Sequence, residues 1–167
     1  YEILIGLVGS EMCIRDSGSA VPEVLSQYEQ LVQKNKLEQY IFFHGALFGE
    51  ALDQMFDECD FGIGSLARHR SQIDKIKTLK NREYAARGIP FVYSETDDDF
   101  EKMPYILKAP ADDTPLDIEK IIDFYESARF TPEEIRSSII KTLSWERQMQ
   151  YVICLLYTSP SPRDRSV

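Results

Sequence analysis

A doubly wound α/β fold on a mostly parallel sheet is the class this sequence predicts, and three observations predict it. Short apolar runs, YIFFHG (40–45), DFGIGS (60–65), PFVYS (90–94) and YILKAP (105–110), read as strands, the first of them buried. Stretches with apolar residues at three- and four-residue steps lie between them and read as helices. The two patterns alternate at intervals of roughly 15–30 residues, as expected of parallel strands crossed over by helices and covered on both faces.

The elements follow in order. Val21, Val24, Leu25, Tyr28, Leu31 and Val32 form one stripe of a helix over residues 21–36, with Pro22 suited to its first turn. After the first run, Leu52, Met55 and Phe56 return to helical spacing over 50–58, leading into the second run. Residues 77–87 predict a helix closed by Gly88, with Asp74 available near its start as a cap, and Pro90 opens the third strand. The acidic loop at 95–102 precedes the fourth and weakest run. Residues 116–128 and 132–143 are two more helices, the second with Thr131 as N-cap and Glu133 and Glu134 in its first turn. Trp145 and Met149 then offer an apolar edge for docking.

Length and composition narrow the class of function. The chain has 167 residues, 43% of them apolar and 28% charged, and a formal charge of −9, the size of one domain with a single core. No apolar run reaches the eighteen or so residues of a membrane span. The basic residues are interleaved with acids rather than gathered with aromatics, which argues against nucleic acid as a partner. Cys13, Cys59 and Cys154 have neither metal-ligand nor disulfide-framework spacing, so the sequence predicts a reduced, cytoplasmic protein; Cys59 reads as a small packing residue.

Both ends read as foreign. Residues 1–17 can be encoded by a DNA segment of about 50 bases whose reverse complement, in a shifted frame, translates as CLLYTSPSPRDRSV, the sequence of residues 154–167. Such DNA resembles a transposon-type sequencing adapter with its index. The expectation is therefore that 1–17 and 154–167 are adapter-derived, that 18–153 is the native part, a gene fragment, and that removing both ends leaves the fold unchanged. The ends hold Glu2, Glu11, Asp16 and Asp164 against Arg15, Arg163 and Arg165, which leaves 24 acids and 16 bases in the middle.

In doubly wound sheets, ligands collect at the carboxyl ends of the strands, which directs attention to the loops after Gly45, Gly64 and Ser94. The middle loop is the richest in charge, with Arg68, His69, Arg70, Lys75, Lys77, Lys80 and Arg82 close together in an acidic protein. Positive charge beside a helix amino end suits a diphosphate; a solvated basic face that balances the acids elsewhere suits the same residues equally. Lys80 and Glu83, three apart, can share a helical face, either as a surface ion pair or with the acid accepting hydrogen bonds from a ribose. His69 can donate to a sugar or phosphate or be an incidental loop residue. His44 has no His/Cys companions, so no metal site is expected. Asp97, Asp98 and Asp99 read first as a solvated loop, since a hard-cation loop needs fixed ligand spacing and a turn glycine. No Gly-rich phosphate fingerprint and no Ser-His-Asp arrangement is present.

Residues 40–94, through Lys80, Glu83, Tyr84, Gly88 and Pro90 in their order and spacing, resemble the donor-binding C-terminal domain of family 4 (group 1) retaining glycosyltransferases, and the ending SWERQMQYVI looks like the helix that closes such chains. The resemblance covers most of 18–153. It implies the Rossmann-like C-terminal half of a GT-B fold and transfer of a sugar, with retention, from a UDP- or GDP-linked donor to a glycan or lipid-linked acceptor. The acceptor would be held by an N-terminal domain not included here, so this half alone would bind donor without turnover. It also implies Glu83 on the ribose hydroxyls, the amides of Thr78 and Leu79 with Lys80 on the diphosphate, Ser65 to Arg70 with His69 facing the sugar, and the turn after Gly45 near the base. The family uses no metal or other cofactor, works in polysaccharide or lipopolysaccharide synthesis, and is compatible with peripheral membrane association of the full enzyme. One departure is local: Lys75 stands where many members carry a first glutamate, which leaves Lys75, Lys77 or Arg70 to stabilise the departing diphosphate. The alternative is a non-catalytic α/β receiver or ligand-binding module with an acidic pocket at Asp97, Asp98 and Asp99.

Overall fold

Each apolar run predicted as a strand forms one, cut to three residues where flanking turn residues take over. The computed structural model describes residues 2–6 and 12–158. In chain order it contains β1 (Glu2–Gly6), β2 (Cys13–Ser17), α1 (Pro22–Lys34), β3 (Ile41–Phe43), α2 (Glu50–Asp57), β4 (Phe61–Ile63), α3 (Leu79–Arg87), β5 (Phe91–Tyr93), β6 (Ile106–Lys108), α4 (Ile118–Glu126), α5 (Pro132–Leu143) and α6 (Trp145–Thr158). A 3-10 turn, Arg68–Ser71, lies between β4 and α3.

The strands form one sheet in the order β3-β2-β1-β4-β5-β6. β4, β5 and β6 run parallel, as do β2 and β3, while β1 is antiparallel to both β2 and β4. The molecule is therefore α/β, with two parallel groups of strands joined through one antiparallel strand. The segments set aside as foreign, so far as they are described, supply that join and the end of α6; the rest of both ends lies outside the described residues.

Alternation along the strands divides the core between two faces. Phe91 and Tyr93 of β5 pack with Met55 and Phe56 of α2, Tyr84 and Ala85 of α3, and Ile135 and Ile139 of α5. Val92, between them, joins Phe61, Ile63 and Ile121 of α4 on the opposite face. Gly62 permits the first of these layers to close. A Cβ there would lie 2.7 Å from the buried Tyr84 ring, and the Tyr84 hydroxyl donates to the Ile63 carbonyl at 3.1 Å, so helix and strand are held at backbone-contact range.

Local signals set the helix ends. Thr78 caps α3, its hydroxyl accepting from the Asn81 amide at 3.4 Å, so the helix begins at Leu79 and not at Lys77. Asp74 is not the cap: its carbonyl accepts from the Thr96 amide instead. Gly88 closes α3 with φ +79°, a left-handed conformation that suits glycine, and Arg136 donates to the freed Arg87 carbonyl at 3.0 Å. Thr131 and Glu134 make a reciprocal capping box at the start of α5.

Two expectations about burial do not hold. Phe42 of β3 is 38% exposed, because β3 is an edge strand, and Ile41 and Phe43 are only half-buried. The predicted stripe of α1 is likewise uncovered: only Val32 is buried, and Val21, Val24, Tyr28 and Leu31 face solvent. Coverage of both faces holds for β4 and β5.

Candidate functional site

The carboxyl end of β5 leads into an extended segment that α3 and its preceding loop lie against. A parallel bridge pairs Lys75 with Thr96; the Thr96 amide donates to the Asp74 carbonyl at 2.8 Å and the Ile76 amide to the Thr96 carbonyl at 3.0 Å. This pairing sets the cations that precede α3 beside the acidic loop. Lys75 Nζ lies 2.6 Å from Asp98, and Lys77 Nζ 2.9 Å from Asp99. Arg82, one turn into α3, donates to both oxygens of Asp97, at 3.0 and 3.3 Å, and to Asp99.

Burial separates the three aspartates. Asp97 is fully buried and also receives the Asn81 side-chain amide at 3.2 Å, while Asp98 is half exposed. Burial would raise the Asp99 carboxyl, but the hydrogen bond from Lys77 and the nearby Arg82 charge hold it below the ordinary carboxylate range. The carboxylates of the predicted acidic pocket are thus engaged by side-chain cations. Among the described residues, no group of three or more His, Cys, Asp or Glu side chains is placed to hold a metal ion.

Beneath this surface lies a buried polar layer: Thr78, Asn81, Ser94, Glu95 and Asp97. Ser94 is satisfied, its amide and hydroxyl both donating to the Ser65 carbonyl. Both Glu95 carboxylate oxygens and the Asn81 side-chain oxygen are buried without a hydrogen-bond partner. The Asn81 oxygen sits over Gly64, 3.0 Å from where a Cβ would stand. Unpaired buried acceptors are costly, and this layer offers acceptors to a ligand that brings N–H or O–H groups.

The structure brings some of the expected residues together and separates others. Lys75, Lys77, Thr78, Leu79 and Lys80 gather at the amino end of α3, with Leu79 82% exposed, and Lys80 is close enough to Asp16 to favour its ionised form, against a burial that raises it. Gly45 adjoins the same rim at the end of β3, its carbonyl accepting from the Ser17 hydroxyl at 3.1 Å. Ser65 lies at the end of β4. His69 and Arg70 instead turn to Asp113 in the β6–α4 loop, at 3.0 and 2.7 Å, and hold its carboxyl below the ordinary range.

Glu83 accepts from Arg87 at 2.6 Å, and Arg87 also reaches Asp53 of α2 at 2.6 Å while lying over the Phe56 ring. Glu83 remains 44% exposed. Asn81, Glu95 and the anchoring role of Asp97 were missed by sequence reasoning. Two signals pointed to them: an asparagine in the first turn of a helix, and an acid directly after an apolar strand.

Clefts lie at both ends of the strands. One of about 460 Å³ lies at the amino ends of β4 and β5, among Cys59, Asp60, Arg87, Pro90, Phe130 and Arg136. Burial pushes the Cys59 thiol up to about 12. The other, about 230 Å³, lies at the carboxyl ends of β5 and β6, among Leu66, Val92, Leu107, Ala109, Leu116 and Lys120. In comparisons with family models, with curated proteins and with solved structures, no match to this chain was found. Among the described residues, no helix is long and apolar enough to cross a membrane.

Proposed function

We propose that this chain is the donor-binding half of a retaining glycosyltransferase of the GT-B type, with a doubly wound Rossmann-like domain that binds a nucleotide-diphosphate sugar linked to UDP or GDP. The observation that carries the reading is the amino end of α3, flanked by Lys75, Lys77 and Lys80 at the rim of the parallel strands. Backbone N–H groups and the helix dipole favour a diphosphate at such an end. The ion pairs already made by Lys75 and Lys77 are exposed, and exposed pairs contribute about 0–1 kcal/mol, so an incoming phosphate can take them over. The unpaired Asn81 and Glu95 oxygens lend support, because a nucleotide sugar brings hydroxyl donors.

In this reading Glu83 accepts from the ribose hydroxyls after exchanging Arg87 for them. Lys75 and Lys77 stabilise the departing diphosphate, Ser65 lines the sugar and Gly45 the base, and Arg70 and His69 join the diphosphate and the sugar respectively only by exchanging Asp113 for the ligand. The acceptor, a glycan or a lipid-linked sugar, belongs to a partner domain, and residues 1–17 and 154–167 are adapter-derived.

Thermal melting with UDP and with GDP tests the reading. One of the two is expected to raise the Tm, with Glu83→Ala abolishing the shift and Arg87→Gln, which removes the ion pair but keeps the acid, preserving it. No response to either nucleotide, together with stabilisation by Mg²⁺, would overturn the reading in favour of an acidic binding module.

A further inference from the structure

The cations that a diphosphate requires at α3 are held, in the structure, by three consecutive acids of the chain itself. Lys75 is on Asp98, Lys77 on Asp99, and Arg82 on Asp97 and Asp99. The three acids are not alike. Asp97 is fully buried, held by two bonds from Arg82 and one from Asn81, and its own amide donates to Glu101. Asp98 and Asp99 are, respectively, half and one-fifth exposed, and each meets a lysine that is more than half exposed. One residue anchors the loop, and two extend from it onto the lysines. Asn81 links this arrangement to the unsatisfied layer, since its amide group holds Asp97 while its oxygen lacks a donor.

We propose that Asp98 and Asp99 act as an internal competitor for the diphosphate. Empty, the site is closed by its own carboxylates; a diphosphate-bearing ligand binds by displacing them from Lys75 and Lys77 while Asp97 keeps the loop tethered. Negative charge replaces negative charge, so the lysines remain neutralised in both states, and free inorganic phosphate, with less charge to offer, competes poorly. This inference rests on the donor-binding reading and adds a regulatory contact to it.

The test is titration calorimetry of the full chain with inorganic pyrophosphate and with UDP, comparing wild type, Asp98→Asn and the Asp98→Asn/Asp99→Asn pair. Asp98→Asn alone is expected to tighten both ligands about 3-fold, and the double variant about 10-fold, consistent with the modest strength of exposed ion pairs. Glu119→Gln/Asp123→Asn on α4, which removes the same charge elsewhere, is expected to change affinity less than 2-fold. Lys77→Ala in the Asp98→Asn/Asp99→Asn background is expected to cancel most of the gain. Should Asp99→Asn disturb the fold, as its melting curve would report, Asp98→Asn alone decides.

Equal affinity in wild type and Asp98→Asn, with binding present, overturns the competitor while leaving the donor-binding reading in place. An equal gain from the α4 variant also overturns it, since the effect is then one of net charge. Absence of binding in every variant overturns both.

Discussion

At the scale of single residues, the site is organised by which carboxylates are shielded. Asp99 is mostly buried, and its folded carboxyl lies below the ordinary value because the Lys77 bond and Arg82 charge outweigh the burial that opposes them. A folded value below the unfolded one adds stability that is complete above the unfolded value of about 4 and is lost as pH falls through the folded one. Urea melts from pH 7 to pH 2.5 should therefore show wild type losing stability below pH 4 more steeply than Asp99→Asn, with about 1 kcal/mol between them at neutral pH narrowing in acid. Parallel curves would remove Asp99 from the electrostatic account. The charges of this site were legible in the sequence, but their pairing was not. Lys75 meets Asp98 across 23 positions because Thr96 bridges Lys75, and no local periodicity reports such a bridge.

At the scale of elements, the helices whose boundaries were legible are those with a chemical stop. α5 begins at Pro132 behind Thr131 and ends at Leu143, as read, because its capping box is written in adjacent residues. Thr131→Ala removes the hydroxyl that accepts from the Glu134 amide and is expected to cost about 1 kcal/mol, or roughly 2–4 °C in Tm, measurable by calorimetry. α3 begins two residues later than the reading over 77–87, because the hydroxyl of Thr78 defines the cap. For α1 the stripe was legible but its burial was not. Periodicity reports that a face is apolar; what covers it depends on the path of the rest of the chain, and here Val21, Val24, Tyr28 and Leu31 stay exposed.

At the scale of the whole molecule, the alternation of strands and helices led to an α/β architecture with parallel strands, and the two-sided packing of β4 and β5 follows from it. The sheet order was beyond such reasoning, because β1 and β2, in residues that read as foreign, lie between β3 and β4, with β1 antiparallel to both of its neighbours. That order changes one expectation. Removing residues 1–17 takes away β1 and β2, which lie between β3 and β4, so the truncated chain should keep a cooperative core of β4, β5 and β6 with α2 to α5, while amide protection disappears from residues 22–43. Hydrogen exchange on the truncated chain checks this; unchanged protection over 22–43 would mean that β3 and α1 are held by contacts other than β2.

Where the full 167-residue chain is expressed, the position of β1 also bears on its synthesis at the ribosome. Its antiparallel partner β2 is the next strand in sequence, but its other edge waits for β4, more than 50 residues later in the chain. At about 5–20 residues per second, that leaves one row of peptide groups open for roughly 3–12 seconds, during which neighbouring nascent chains compete for it.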